Sequence, residues 1–363
     1  MLLRHALTVC ALLVLFPTTE PAAQASLKEP LDAVFSEFDR DDGPGLAAAV
    51  IFQGEMLYEN GFGLANVEQA TPITPDTIFR IGSTSKQFTA FCIALLADRG
   101  ELDLDADIRT YITELPEFDT PVSVRNMVHH TSGIPDYVDL HRLEGVSLDD
   151  HITTADTLET LGKVAKLSFE PGEQWAYSNS NYLLLGELVR RISGSTLREF
   201  AEQNIFEPLG MTSTHYHDQF AEVVVGRADG YMQVPGSYPV QWLKNNTTWD
   251  QVGDGGVFTS VRDLARWDAN FYDNKLGGGQ ALLDLIQTPG KFNNGDEHQY
   301  AFGLGIRRQL GRDVVEHAGG WVGFSAQMMR FPEESLTVIV LSNCQAPSAQ
   351  LAMQLSSMLL GAR

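Results

Sequence analysis

Cysteine is scarce in this chain, with Cys10, Cys92 and Cys344 the only three among 363 residues. That count excludes a disulfide-built scaffold, and the absence of any C-x-x-C pair excludes a thiolate metal cluster. Positive charge is also in short supply. Lys and Arg number 25 against 47 Asp and Glu, for a formal net charge of −22, which argues against nucleic acid or an anionic membrane surface as a partner. No apolar run reaches the roughly 18 residues of a membrane-spanning helix, and no repeat or sustained low-complexity tract is present. The signatures G-x-S-x-G and H-E-x-x-H are missing, and Gly277-Gly278-Gly279 is not followed by the G-K-[ST] of a phosphate loop. His215-Tyr216-His217-Asp218 reads as exposed turn histidines, because no complete zinc-ligand pattern surrounds it.

What is present suits a large folded core: 44% of residues are hydrophobic and 9% aromatic. Residues 1–25 have the make-up of a signal sequence, with Arg4 and His5, an apolar stretch over 6–16 and Ala23-Gln24-Ala25 as a small-residue cleavage site. The expected product is therefore exported, periplasmic or secreted, and retains Cys92 and Cys344 as two buried free thiols. A helix is predicted over 28–39, then a hairpin of strands 45–52 and 56–62 around Gln53-Gly54-Glu55. The middle of the chain is helical in pattern. Strands return over 301–308, 314–318, 324–331 and 336–341, before a last helix over 346–360. Strands from both ends with helices between predict an α/β (α+β) fold, in which an antiparallel sheet built from 26–105 and 300–363 receives an inserted, mostly helical domain of 106–299.

The stretch Ile81-Gly82-Ser83-Thr84-Ser85-Lys86-Gln87-Phe88 leads into an apolar run in which Phe88, Phe91, Cys92, Leu95 and Leu96 share one helical face. A serine here is a common N-cap. The lysine does not fit that reading, since helix starts favour negative charge and a buried ammonium is costly. Lys86 is the only lysine with a serine three residues earlier, a spacing that puts Ser83 and Lys86 on one face as nucleophile and proton-handling partner. Tyr-x-Asn occurs three times, at Tyr58, Tyr177 and Tyr272. Only Tyr177-Ser178-Asn179 lies on an irregular segment ahead of an apolar helix, a usual setting for catalytic groups. The single His-x-Gly, His317-Ala318-Gly319, is followed by Gly320 and is expected to end a strand. Its glycines would let a substrate backbone approach, and the Gly320 N–H would pair with that of Ser83 as an oxyanion hole.

In chain order, Ser83-Thr84-Ser85-Lys86, Tyr177-Ser178-Asn179 and His317-Ala318-Gly319 resemble the three motifs of the penicillin-recognising serine hydrolases, in the branch of class C β-lactamases, DD-peptidases and esterases. Residues 79–83, 128–134, 171–185 and 255–260 look like the same branch. The resemblance implies a β-lactamase/transpeptidase-like fold and acylation of Ser83. It implies Lys86 and Tyr177 as proton carriers, Asn179 and His317 near the substrate, Gly319 and Gly320 along it, and no metal or organic cofactor. The substrate expected is a small-molecule or peptide ester or amide, as for an esterase or D-amino-acid peptidase. Where β-lactamases of this branch carry Lys-Thr-Gly, this chain has His317-Ala318-Gly319, replacing a fixed cation with a group mostly neutral near pH 7. A β-lactamase with an altered third motif and a non-catalytic binding or sensor protein are the alternatives.

Overall fold

The computed structural model describes residues 21–361. The charged and apolar parts of the expected signal sequence, within 1–20, and residues 362 and 363 lie outside the described residues. Six antiparallel strands form the main sheet: β1 (Leu46–Phe52), β2 (Glu55–Phe62), β3 (Gly305–Gln309), β4 (Arg312–Trp321), β5 (Phe324–Phe331) and β6 (Leu336–Ser342), in the order β3-β4-β5-β6-β1-β2. Both ends of the chain thus meet at the β6–β1 pair. The β1–β2 hairpin closes through Gln53 and Gly54 at φ 53° and 81°, the paired left-handed conformation that suits the right-handed strand twist.

Alternation along β1 sends side chains into two cores. Leu46, Ala48 and Val50 face one side, where α1 (Pro21–Asp32) and the C-terminal helix Ser348–Leu360 supply Leu31, Leu351 and Leu355. Ala47, Ala49 and Ile51 face the other, against a larger core that includes Phe88, Phe91 and Leu183. Burial of each large side chain contributes roughly 1.5–3 kcal/mol, so both faces of the sheet are held by their helices. The helix predicted over 28–39 instead starts earlier and gives way at Asp32 to the turn Ala33–Phe35. There Phe35 packs on Phe62, and the Asp32 carboxylate accepts hydrogen bonds from Tyr58 (2.8 Å) and Asn60 (2.9 Å) of β2.

The helix α2 (Lys86–Asp98) is buried from Lys86 to Leu96 and packs against α3 (Asn179–Ser193), which is buried from Ser180 to Val189. A small sheet of Phe79–Arg80, Val257–Thr259 and His215–Tyr216 delivers the chain into α2. Strand β4 differs from its expected extent. It runs through the glycines to Trp321, so His317 sits mid-strand, because the space a Gly319 side chain would fill is taken by the Ile81 carbonyl, 1.9 Å from the Cβ position. Strand β3 begins only at Gly305, since Gly303 turns at φ 67° against the first residues of α2. Cys92 and Cys344 are both buried free thiols. Among the described residues no helix is long and apolar enough to cross a membrane.

Candidate active site

Ser83 lies in the single turn of 3₁₀-helix Gly82–Ser85 that precedes α2. Val257 fixes this turn from both sides: the Ile81 N–H donates to its carbonyl (3.0 Å), and its own N–H donates to Ser85 Oγ (3.1 Å). The serine hydroxyls therefore divide their work. Neither Ser83 nor Ser85 caps the helix through its side chain; Ser85 is a buried strut, while Ser83 is partly exposed at a cavity. Gly82, at φ 51°, meets β4 so closely that a Cβ there would lie 2.7 Å from the Gly320 nitrogen. A side chain at either Gly82 or Gly319 would part the turn from the strand.

Lys86 is completely buried, and Nζ donates to Ser83 Oγ (3.2 Å), Asn179 Oδ1 (2.8 Å) and the Asp254 carbonyl. Three acceptors match the three N–H bonds of an ammonium. The ring of Tyr177 lies 4.8 Å from Nζ, and the Tyr177 hydroxyl has no hydrogen-bond partner among the described residues. Asn179, at the start of α3, is itself oriented. Both its backbone N–H (2.7 Å) and its side-chain amide (2.9 Å) donate to Asp136 Oδ2.

The other two Tyr-x-Asn tyrosines lie elsewhere. Tyr58 ties β2 to Asp32 as described, and Tyr272 is partly exposed at the turn after the helix Val261–Ala269. His317 is buried beside Tyr177, with ring centroids 6.5 Å apart. Its Nδ1–H donates to the Ala318 carbonyl (2.6 Å), leaving Nε2 to accept from the Tyr300 hydroxyl (2.9 Å). Burial, with the charge of Lys86 adding to it, pushes the imidazole from 6.5 down to about 3. It is neutral at physiological pH, and neither nitrogen is free for a substrate. Gly319 likewise differs from its expected part, since it faces Ile81 and Thr84 of the nucleophile turn. Gly320 is open, with nothing within 4 Å of its Cβ position.

Ser83, Tyr177, His317 and Gly319 therefore share one open cavity of about 1000 Å³, with Trp175 and Tyr300 on its wall. Sequence reasoning missed Asp136, Asp254, Tyr300 and His130. His130, at φ 57°, packs its ring 4.4 Å from that of Tyr177, and its Nδ1 accepts from the Ser178 N–H and the Asn181 side-chain amide. A bulky residue held in the left-handed region is a mark of constraint. The reading of His215 and His217 as exposed is corrected: His217 is buried and His215 half-buried against Phe258. Their ring nitrogens lie near Glu222, whose carboxylate is gripped at both oxygens by Arg198 (2.6 and 2.9 Å).

A turn-borne serine, a buried lysine on it and a Tyr-x-Asn loop, between a six-stranded antiparallel sheet and a helical layer, define a penicillin-recognising serine hydrolase fold. The family model for Beta-lactamase matches residues 31–362, and the chain belongs to that family. It is 32% identical over 320 residues to a D-aminopeptidase of Gluconobacter oxydans, covering 86% of this chain and 59% of that protein. A penicillin-binding protein of Bacillus subtilis is 32% identical over 308 residues, covering 80% of this chain and 66% of its own. The chain thus spans somewhat less than two thirds of the length of these relatives. Among solved structures, the octameric penicillin-binding protein homologue from Pyrococcus abyssi aligns with a TM-score of 0.78 at 27% identity, over 94% of this chain and 78% of that one.

Proposed function

We propose that the protein is an exported acyl-serine hydrolase that cleaves an amide or ester bond through a covalent acyl-Ser83 intermediate, with an acyl group of the D-amino-acid peptidase or esterase type. The observation that carries this reading is Lys86: a fully buried side chain whose hydrogen bonds converge on Ser83 Oγ and on Asn179 Oδ1. A fold tolerates an ammonium at that depth only with every N–H satisfied. Ser83 Oγ attacks the carbonyl carbon. Because Lys86 already uses all three N–H bonds, the proton moves through the unpartnered Tyr177 hydroxyl in one relay: its oxygen takes the serine proton as its own phenolic proton passes to the leaving group. Lys86 steadies the charge that develops between them. The backbone N–H groups of Ser83 and Gly320, on the two stacked segments, receive the oxyanion. Asn179 orients Lys86, with Asp136 behind it.

The D-aminopeptidase relative supports the amide-cleaving form of this reading, and the neutral, buried His317 speaks against efficient handling of β-lactams through a cation at the third motif. The test is intact-mass spectrometry with a fluorophosphonate and p-nitrophenyl esters, followed by peptide mapping. A single adduct on Ser83 that vanishes in Ser83→Ala is expected. An adduct on Ser85, or turnover that survives Ser83→Ala, would overturn the assignment.

A further inference from the structure

A second, smaller cavity of about 120 Å³ shares Ser83 with the main one and none of its other walls. It lies between Asn179, Gly320 and Trp321, and Arg80 forms part of its lining. Arg80 is only 8% exposed, and among the described residues its guanidinium makes no hydrogen bond and no ion pair; its Nε is buried without any partner. Its guanidinium lies 5.9 Å from the Phe258 ring, and Arg227 lies against the same ring at 5.7 Å. Two acids act on Arg80 from a distance, but each is committed elsewhere. Asp254 accepts from the Tyr137 hydroxyl (2.9 Å), and Asp250 is bonded to the His151 ring (2.6 Å). Burial lowers the guanidinium to about 10, which leaves it charged at neutral pH. An unpaired buried cation costs several kcal/mol, and native folds rarely carry one without a use. Trp321 Nε1, on the same cavity wall, is also buried with no acceptor.

Arg80 and Trp321 thus both line a small space that opens on the nucleophile, and among the described residues the Arg80 guanidinium has no hydrogen-bond partner. At about 30 Å³ per water the cavity has room for roughly four waters, enough for the methylenes and carboxylate of a succinyl group. We propose that this cavity is the acyl-group pocket and selects a short acyl chain ending in a carboxylate, which the Arg80 guanidinium receives. Asp254, which also lines the cavity, stands against a second negative group, so the site fits one carboxylate and no more. The proposal rests on the assignment of Ser83 as the acylated residue.

The test measures the rate of Ser83 labelling by a fluorophosphonate in the presence of N-propylsuccinamic acid or its neutral counterpart N-propylbutyramide. In the unmodified protein the acid should protect at a concentration at least tenfold lower than the amide. Arg80→Met should erase that difference, and Arg80→Lys, which keeps the charge without the fork, should keep part of it. Should Arg80→Met fail to fold, the preference of the unmodified protein and the Arg80→Lys ratio still decide. Equal protection by the two compounds, or protection by neither, would overturn the carboxylate pocket and leave Ser83 as nucleophile. No labelling of Ser83 at all would bring down the hydrolase reading itself.

Discussion

Replacing His317 with lysine puts a cation where the fold excludes one. The imidazole is held neutral between the Ala318 carbonyl and the Tyr300 hydroxyl, and burial pushes it from 6.5 to about 3. At 1.36 kcal/mol per pKa unit the site opposes a positive charge by about 5 kcal/mol. That figure is an upper bound for lysine, whose longer stem can carry the ammonium toward the open cavity. Replacement also strips the Tyr300 hydroxyl of its acceptor, at a cost of about 1–3 kcal/mol for a buried group. Tyr300 in turn packs edge-on against Tyr177, at 6.4 Å between centroids. His317→Lys should therefore lower the urea midpoint by the equivalent of about 2 kcal/mol or more, and reduce kcat/KM at least tenfold for neutral esters and penicillins alike, from pH 5.5 to 8.5. His317→Gln, which can still accept from Tyr300, should retain most of the stability. A selective gain with penicillins and no loss of stability would refute this reasoning and make position 317 a carboxylate grip.

Two further outcomes are expected. Tyr177→Phe should cut kcat by about 10²-fold or more with little change in folding, whereas Tyr58→Phe should lose about 1 kcal/mol of stability with its bond to Asp32 and leave turnover intact, as should Tyr272→Phe; equal losses from all three would remove Tyr177 from the proton path. Stability should also fall in acid. Burial lowers His317 to about 3, His129 to about 4 and His130 further below its ordinary value, so the unfolded chain binds more protons than the folded one from pH 6.5 downward. Their contribution is complete above about pH 6.5 and drains away toward pH 3–4, which urea titrations at pH 7.5, 6 and 5 would register as a loss of several kcal/mol; a flat profile would contradict the neutral, buried assignment.

Local pattern carried far in the strands and less far at their ends. Residues 324–331 were legible to the residue as β5, because a stretch bounded by Phe324 and Phe331, with Met328 and Met329 inside it and a turn at either end, has one reading. The glycines after His317 looked like a strand terminus, and in fact keep β4 and the nucleophile turn in contact. Glycine marks both a turn and a close backbone approach, and only the partner segment, more than 230 residues away, distinguishes them. Asp136 was invisible for the same reason. Its bonds to Asn179 join residues 43 apart, a distance over which hydrophobic period says nothing.

Lys86 was legible because it broke a rule: a cation in an apolar run needs an explanation that packing does not supply. The same rule applies six residues earlier. Arg80 stands between Ile78-Phe79 and Ile81, as misplaced by pattern as Lys86 and nearly as buried, yet it was read only as part of the stretch 79–83 and given no role of its own. The structure separates the two by their partners. Lys86 spends its three N–H bonds inside the protein, on Ser83, Asn179 and Asp254, and so belongs to the machinery that every substrate meets. Arg80 spends none, and its charge is left facing the cavity beside the nucleophile. A buried cation that the fold satisfies is part of the chemistry; one that the fold leaves unsatisfied is completed by what binds, and that is why choice of the acyl group is assigned to Arg80 and not to His317.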